Sequence, residues 1–120
     1  MNKDNKKNVL EIARLLDQHK TENTVVLNLK ENSSFTDYFI ITTVRSQTHL
    51  KGLVDHILIY LKENDLSLLH RIKKLDNTGW LLMDCGYFVI HLFENETREF
   101  YDLEKLWFKC ELMYQSSKSS

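Results

Sequence analysis

Apolar positions recur along this chain with two different periods. Val9, Ile12, Ala13, Leu15 and Leu16 fall at helical spacing, so residues from about 4 to 20 are predicted to form an amphipathic helix, with Asp4 as its N-cap. Thr24 to Lys30 (TVVLNLK) alternates and reads as a strand, ENSS is turn chemistry, and Tyr38 to Val44 (YFIITTV) reads as a second strand buried on both faces. Ser46 then caps a helix whose stripe of Leu50, Leu53, Val54, Ile57, Leu58 and Leu61 runs to about Asn64. Leu68 to Lys74 predicts a third strand and DNTG a turn. Trp80 to Cys85 and Phe88 to Phe93 predict two more strands around Gly86-Tyr87. Residues from about Thr97 to Met113 read as a helix or a turn followed by a helix, and QSSKSS as a frayed tail.

The order is helix, two strands, helix, three strands, helix. The second and third strands flank a helical crossover of the kind a parallel pair needs. The expected architecture is α/β, a mixed sheet of about five strands with helices packed on it. Residues 1–114 form one domain and 115–120 the tail.

The hairpin carries the most information. With Gly86-Tyr87 as a tight turn, Cys85 faces Phe88, Asp84 faces Val89 and Leu82 faces His91. Alternation then puts Leu81, Met83, Cys85, Phe88, Ile90 and Leu92 on one wholly apolar face, to be covered by helices. The opposite face holds Trp80, Leu82, Asp84, Val89, His91 and Phe93, large apolar groups mixed with an acid and a histidine. Such a face is either a second core layer or a partner surface with aromatic anchors.

Composition narrows the chemistry. The chain has 120 residues, 42% hydrophobic and 28% charged, ordinary for one globular domain. Its 16 basic and 17 acidic residues leave a net charge of −1, which argues against general binding to a nucleic-acid backbone. The 2 cysteines, Cys85 and Cys110, have no CxxC spacing, so neither a disulfide framework nor a zinc site is indicated. No apolar run approaches the roughly 20 residues of a membrane helix, and the first residues lack a signal-peptide pattern. A reducing, cytoplasmic setting is the expectation. There is no proline and there are only 3 glycines, so clustered phosphate-cradling glycines are excluded.

Catalysis finds little support. Asp84 and His91 would be neighbours, but a nucleophile is missing beside them, since Cys85 points to the other face. His49 and His56 stand seven apart on one helix, too far for one ion without further ligands. No cofactor is implied.

The ordered blocks TDYFIITT (Thr36 to Thr43), Ser46 and His49, GWLLMDCG (Gly79 to Gly86), VIH (Val89 to His91) and REFYDLEKLW (Arg98 to Trp107) resemble the Iojap-like ribosomal silencing factors over about residues 8 to 108. The resemblance implies an α/β sandwich similar to nucleotidyltransferases without their catalytic motifs; the paired-acid D-x-D motif for two-metal chemistry is missing here. It implies a translational repressor that binds the large ribosomal subunit at ribosomal protein L-fourteen, blocks joining of the small subunit under nutrient limitation, and forms a homodimer when free. Sequence-specific nucleic acid and membranes are not implied partners. The residues it points to for partner binding are Asp37, Tyr38, Trp80, Asp84, His91, Arg98, Tyr101, Glu104 and Trp107. The chain departs from the family's pattern at Val44-Arg45, where Gly-Thr is usual, at Lys73-Lys74, in place of Glu-Gly, and at the turn Gly86-Tyr87, in place of Gly-Asp. Two other classes remain open: a nucleotidyltransferase-like enzyme, and a protein-interaction module unrelated to ribosomes.

Overall fold

A computed structural model of the chain describes residues 5–31, 36–69, 72–74, 79–101, 105 and 109–116; for residues 73, 74 and 99–101 only the backbone is described. Helix α1 (Lys6–Gln18) buries Val9, Ile12, Ala13 and Leu16. Asn5 holds its N-cap position, and the expected cap Asp4 lies outside the described residues. Strand β1 (Glu22–Asn28) starts two residues earlier than the alternation predicts, and β2 spans Tyr38–Val44 as expected. Helix α2 (Gln47–Glu63) buries Leu50, Leu53, Ile57 and Leu61. Ser46 is extended and its Oγ accepts the His49 N–H at 3.0 Å, which satisfies one of the orphan donors of the first turn.

The third strand is shorter than predicted. Among the described residues strand β3 is Lys73–Lys74; Leu68 and Leu69 precede it as irregular chain, with Leu69 62% exposed and its N–H donating to the Asp84 carbonyl at 2.7 Å. Strands β4 (Trp80–Asp84) and β5 (Phe88–Glu94) form the hairpin, followed by α3 (Asn95–Tyr101). Instead of a helix reaching Met113, residues Glu111–Gln115 form strand β6, antiparallel to β1. The run Leu112-Met113-Tyr114 fits either period, and the open edge of β1 decides it, because unpaired backbone groups there need partners. Pairing continues past the expected tail boundary: Ser116 N–H donates to the Thr24 carbonyl at 2.9 Å, and Ser116 Oγ accepts the Thr24 N–H at 3.0 Å.

Among the described residues the sheet therefore has six strands in the order β3-β4-β5-β2-β1-β6. Every pair is antiparallel except β2–β5. The crossover through α2 does not make the third strand a neighbour of β2, as expected. It carries the chain to the far edge, and the hairpin then returns β5 to pair with β2.

Alternation divides the sheet into two faces. Val26, Tyr38, Ile40, Val44, Leu81, Met83, Phe88, Ile90 and Leu92 pack with the buried stripes of α1 and α2 into the main core. On the other face Val25, Leu27, Leu29, Ile41 and Phe93 form a second cluster, with Phe39, Trp80 and Cys110 partly buried against it. Helix α3 packs against β5 and β2.

Candidate functional site

The hairpin register is the one alternation predicts: Asp84 pairs with Val89, Leu82 with His91, and Cys85 N–H donates to the Phe88 carbonyl at 2.9 Å. Gly86 holds the turn at φ +86, a conformation that disfavours side chains, and Asp84 Oδ1 accepts its N–H at 2.8 Å. Gly79 opens β4 at φ +77; a Cβ there would stand 2.5 Å from Glu94 Oε2. The hairpin is thus pinned at both ends.

This register gathers an aromatic cluster on the second face. Trp80 Nε1–H donates to His91 Nδ1 at 3.2 Å, and its ring lies 4.8 Å from Phe93. Phe39 meets the His91 ring at 4.5 Å and 71°, and Phe93 lies parallel to His91 at 6.1 Å. His91 and Phe93 are buried, whereas Phe39, Trp80, Leu82 and Asp84 are half-buried. The face is accordingly a core layer at its floor and an apolar strip with one carboxylate at its rim. Burial holds the His91 pKa down to about 4, so its ring is neutral.

The other residues expected at the site scatter. Asp37 is half-buried beside the hairpin turn, its N–H donating to the Tyr87 carbonyl at 2.9 Å and its carbonyl accepting the Leu29 N–H at 2.7 Å. Tyr38 lies on the helix-covered face, 1% exposed, with Lys30 Nζ 5.3 Å from its ring centre. Its neighbour Phe39 occupies the Trp80 face; strict alternation along YFIITTV was the signal for it. Arg98, expected on a polar side of the C-terminal segment, is 5% exposed. Its Nη1 donates to the Asn23 carbonyl at 2.6 Å and to Thr43 Oγ1 at 3.0 Å. The β1 register slips between Glu22 and Val25, and there Arg98 takes up the Asn23 carbonyl and ties α3 to the sheet. Tyr101 ends α3 with its side chain undescribed, and Glu104 and Trp107 lie outside the described residues.

Asp84 and His91 do not form a dyad, since the carboxylate serves the turn and Nδ1 serves Trp80. Burial, and next the Asp84 charge, push the Cys85 thiol up to about 12, which keeps it protonated and weakly nucleophilic. Both His49 nitrogens are engaged: Nδ1 accepts the Arg45 N–H at 3.0 Å, and Nε2 lies 2.6 Å from the His19 carbonyl. His56 stacks on His19 at 3.8 Å. Among the described residues, no group of three His, Cys, Asp or Glu side chains could hold a metal ion, and no helix is long and apolar enough to cross a membrane.

Fold and face together define a mixed α/β sandwich with one helix-covered face and one partly open aromatic face. The family model described as ribosomal silencing factor during starvation matches residues 2–120. The ribosomal silencing factor RsfS of Bacillus subtilis is 31% identical over 104 residues, covering 86% of this chain and 87% of that protein. A mouse protein named mitochondrial assembly of ribosomal large subunit protein 1 is 35% identical over 100 residues, covering 80% of this chain and 43% of its own length. A crystal structure from Bacillus halodurans superposes with a TM-score of 0.69 at 29% identity, covering 84% of this chain and 94% of the other. One from Chromobacterium violaceum gives 0.75 at 22% identity over 95% and 94%, a likeness of fold. The chain belongs to the ribosomal silencing factor family.

Proposed function

We propose that this protein is a translational repressor that docks on the large ribosomal subunit through ribosomal protein L-fourteen. Docked there, it blocks joining of the small subunit and slows protein synthesis when nutrients are scarce. Family membership over nearly the whole chain carries this reading. The half-buried strip of Phe39, Trp80, Leu82 and Asp84 supports a protein partner, because interfaces favour aromatic anchors beside few charges. Repression by occlusion needs no bond chemistry and no cofactor, in keeping with a face whose acid and histidine are committed to structural hydrogen bonds. We place the protein in the cytoplasm, as a homodimer when free.

The test is co-sedimentation with purified large subunits, combined with light scattering of subunit joining. The protein should pellet with large subunits and lower the joining amplitude in proportion to occupancy. Because the net charge is −1, binding should weaken only gently with salt, unlike that of a protein neutralising six or more phosphates. Failure to pellet at micromolar concentration overturns the reading.

A further inference from the structure

We propose that the buried Nε2–H of His91 is a recognition donor, and that docking brings to it a peptide carbonyl oxygen of the protein partner. The inference rests on the docking reading above and names the atom of this face that selects the partner. Because Nδ1 accepts the Trp80 N–H, the neutral ring carries its proton on Nε2. That nitrogen is buried and has no hydrogen-bond partner among the described residues. Buried polar groups in native folds are nearly always paired, and an orphan donor is costly enough to call for a specific explanation.

The surroundings indicate the kind of acceptor. His91 lies at the floor of the cluster, beneath the half-buried rings of Phe39 and Trp80. Rotation of side chains such as these on binding is common and would open the way to Nε2. Among the described side chains, the charged groups bearing on this face disfavour an anion. Asp84 stands on the same face two residue pairs further along the hairpin, and the Arg98 guanidinium is drawn to Asn23 and Thr43 instead. A phosphate oxygen of RNA would meet the Asp84 carboxylate on this face. A neutral peptide carbonyl among aromatic rings fits both the donor and its setting.

Two substitutions test this in the full chain, each measured by thermal melting and by co-sedimentation with purified large subunits. His91→Phe keeps the ring volume and removes the orphan donor. Because it also removes the acceptor of the Trp80 N–H, it should melt a few degrees below wild type and yet bind about tenfold more weakly, the loss of one well-placed hydrogen bond. His91→Gln can project an amide N–H toward the position of Nε2 and should recover part of that loss. In wild type, the Nε2–H resonance of ring-labelled His91 should move downfield on adding purified ribosomal protein L-fourteen. Wild-type binding by His91→Phe overturns the proposal. So does a melt lowered well beyond the loss of that one Trp80 hydrogen bond, which would mean that the donor is satisfied within the fold, or a resonance unmoved at saturation. Failure of the wild type itself to sediment falls instead on the docking reading, and takes this inference with it.

Discussion

Truncation of Trp80 separates docking from folding on this face. Trp80→Ala removes a ring contact with Phe93 at 4.8 Å and the hydrogen bond to His91 at 3.2 Å. An aromatic pair contributes about 1 kcal/mol beyond its buried area and a neutral hydrogen bond about 1 kcal/mol. The buried part of the indole adds about 1 kcal/mol, so the loss should be near ~3 kcal/mol, at the low end of the roughly 3–5 kcal/mol of a core tryptophan. For a chain of this length that lowers the melting temperature by about 12 °C. A domain with roughly 5–15 kcal/mol of stability remains almost wholly folded at 25 °C after such a loss. Any fall in binding at that temperature therefore reports the interface. A central aromatic anchor costs about 2 kcal/mol or more, at least roughly thirtyfold in affinity. Differential scanning calorimetry and co-sedimentation on the same preparation give both numbers. Affinity within threefold of wild type, with the melt lowered as calculated, would show that Trp80 only covers the cluster beneath it.

Stability should depend on pH through His91. Its pKa falls from 6.5 to about 4 on folding because of burial, so the unfolded chain binds the extra proton first. Stability should be flat above about pH 6.5 and lose about 3 kcal/mol as pH falls from 6.5 to 4, since each unit between the two states is worth about 1.4 kcal/mol. His19, lowered by burial and then by His56 and His49, acts in the same direction. Urea midpoints measured from pH 7.5 to 4.5 check this; a flat profile between 6.5 and 4.5, or an equal slope in His91→Phe, would refute it. Arg98→Met strands the Asn23 carbonyl and Thr43 hydroxyl and should cost about 3 kcal/mol by urea unfolding, because hydrogen bonds to a charged donor are among the stronger ones. A change under about 0.5 kcal/mol would assign Arg98 to the surface.

Local signals made much of the fold legible. The Ser46 cap, the stripe of α2 and the hairpin register each depend on residues within a few positions of one another, and in each case one period dominates. What escaped depends on pairing between distant segments. The parallel partner of β2 is a strand about 50 residues later, and nothing local to YFIITTV marks Val89 as the residue opposite Phe39. Strand β6 forms because the β1 edge, about 85 residues earlier, is open to it. The same cause displaced residues at the candidate site. Tyr38 has the amphipathic character of an interface residue, but the parity of β2 turns it into the core and presents Phe39. Arg98 reads as a surface charge until the slip in β1 supplies a carbonyl for its guanidinium.

That parity also fixes the order of groups on the Trp80 face. A shift of one residue in β4 or β5 would exchange the two faces of the hairpin. Met83, Ile90 and Leu92, fully buried under α1 and α2, would turn outward, while Asp84 and His91 would enter the main core. Losing three such side chains from the core costs several kcal/mol, and burying an unpaired carboxylate adds to it. The register is therefore held from the helix-covered side of the sheet. Gly86 and Gly79 hold it at the turn and at the strand entry, where φ is positive. The far edge adds a safeguard, since β3 is two residues long and both are lysine, features that discourage edge-to-edge pairing with another sheet. Contacts at the rim can vary with the partner, but the order of groups along the strip is set by packing on the opposite side of the sheet.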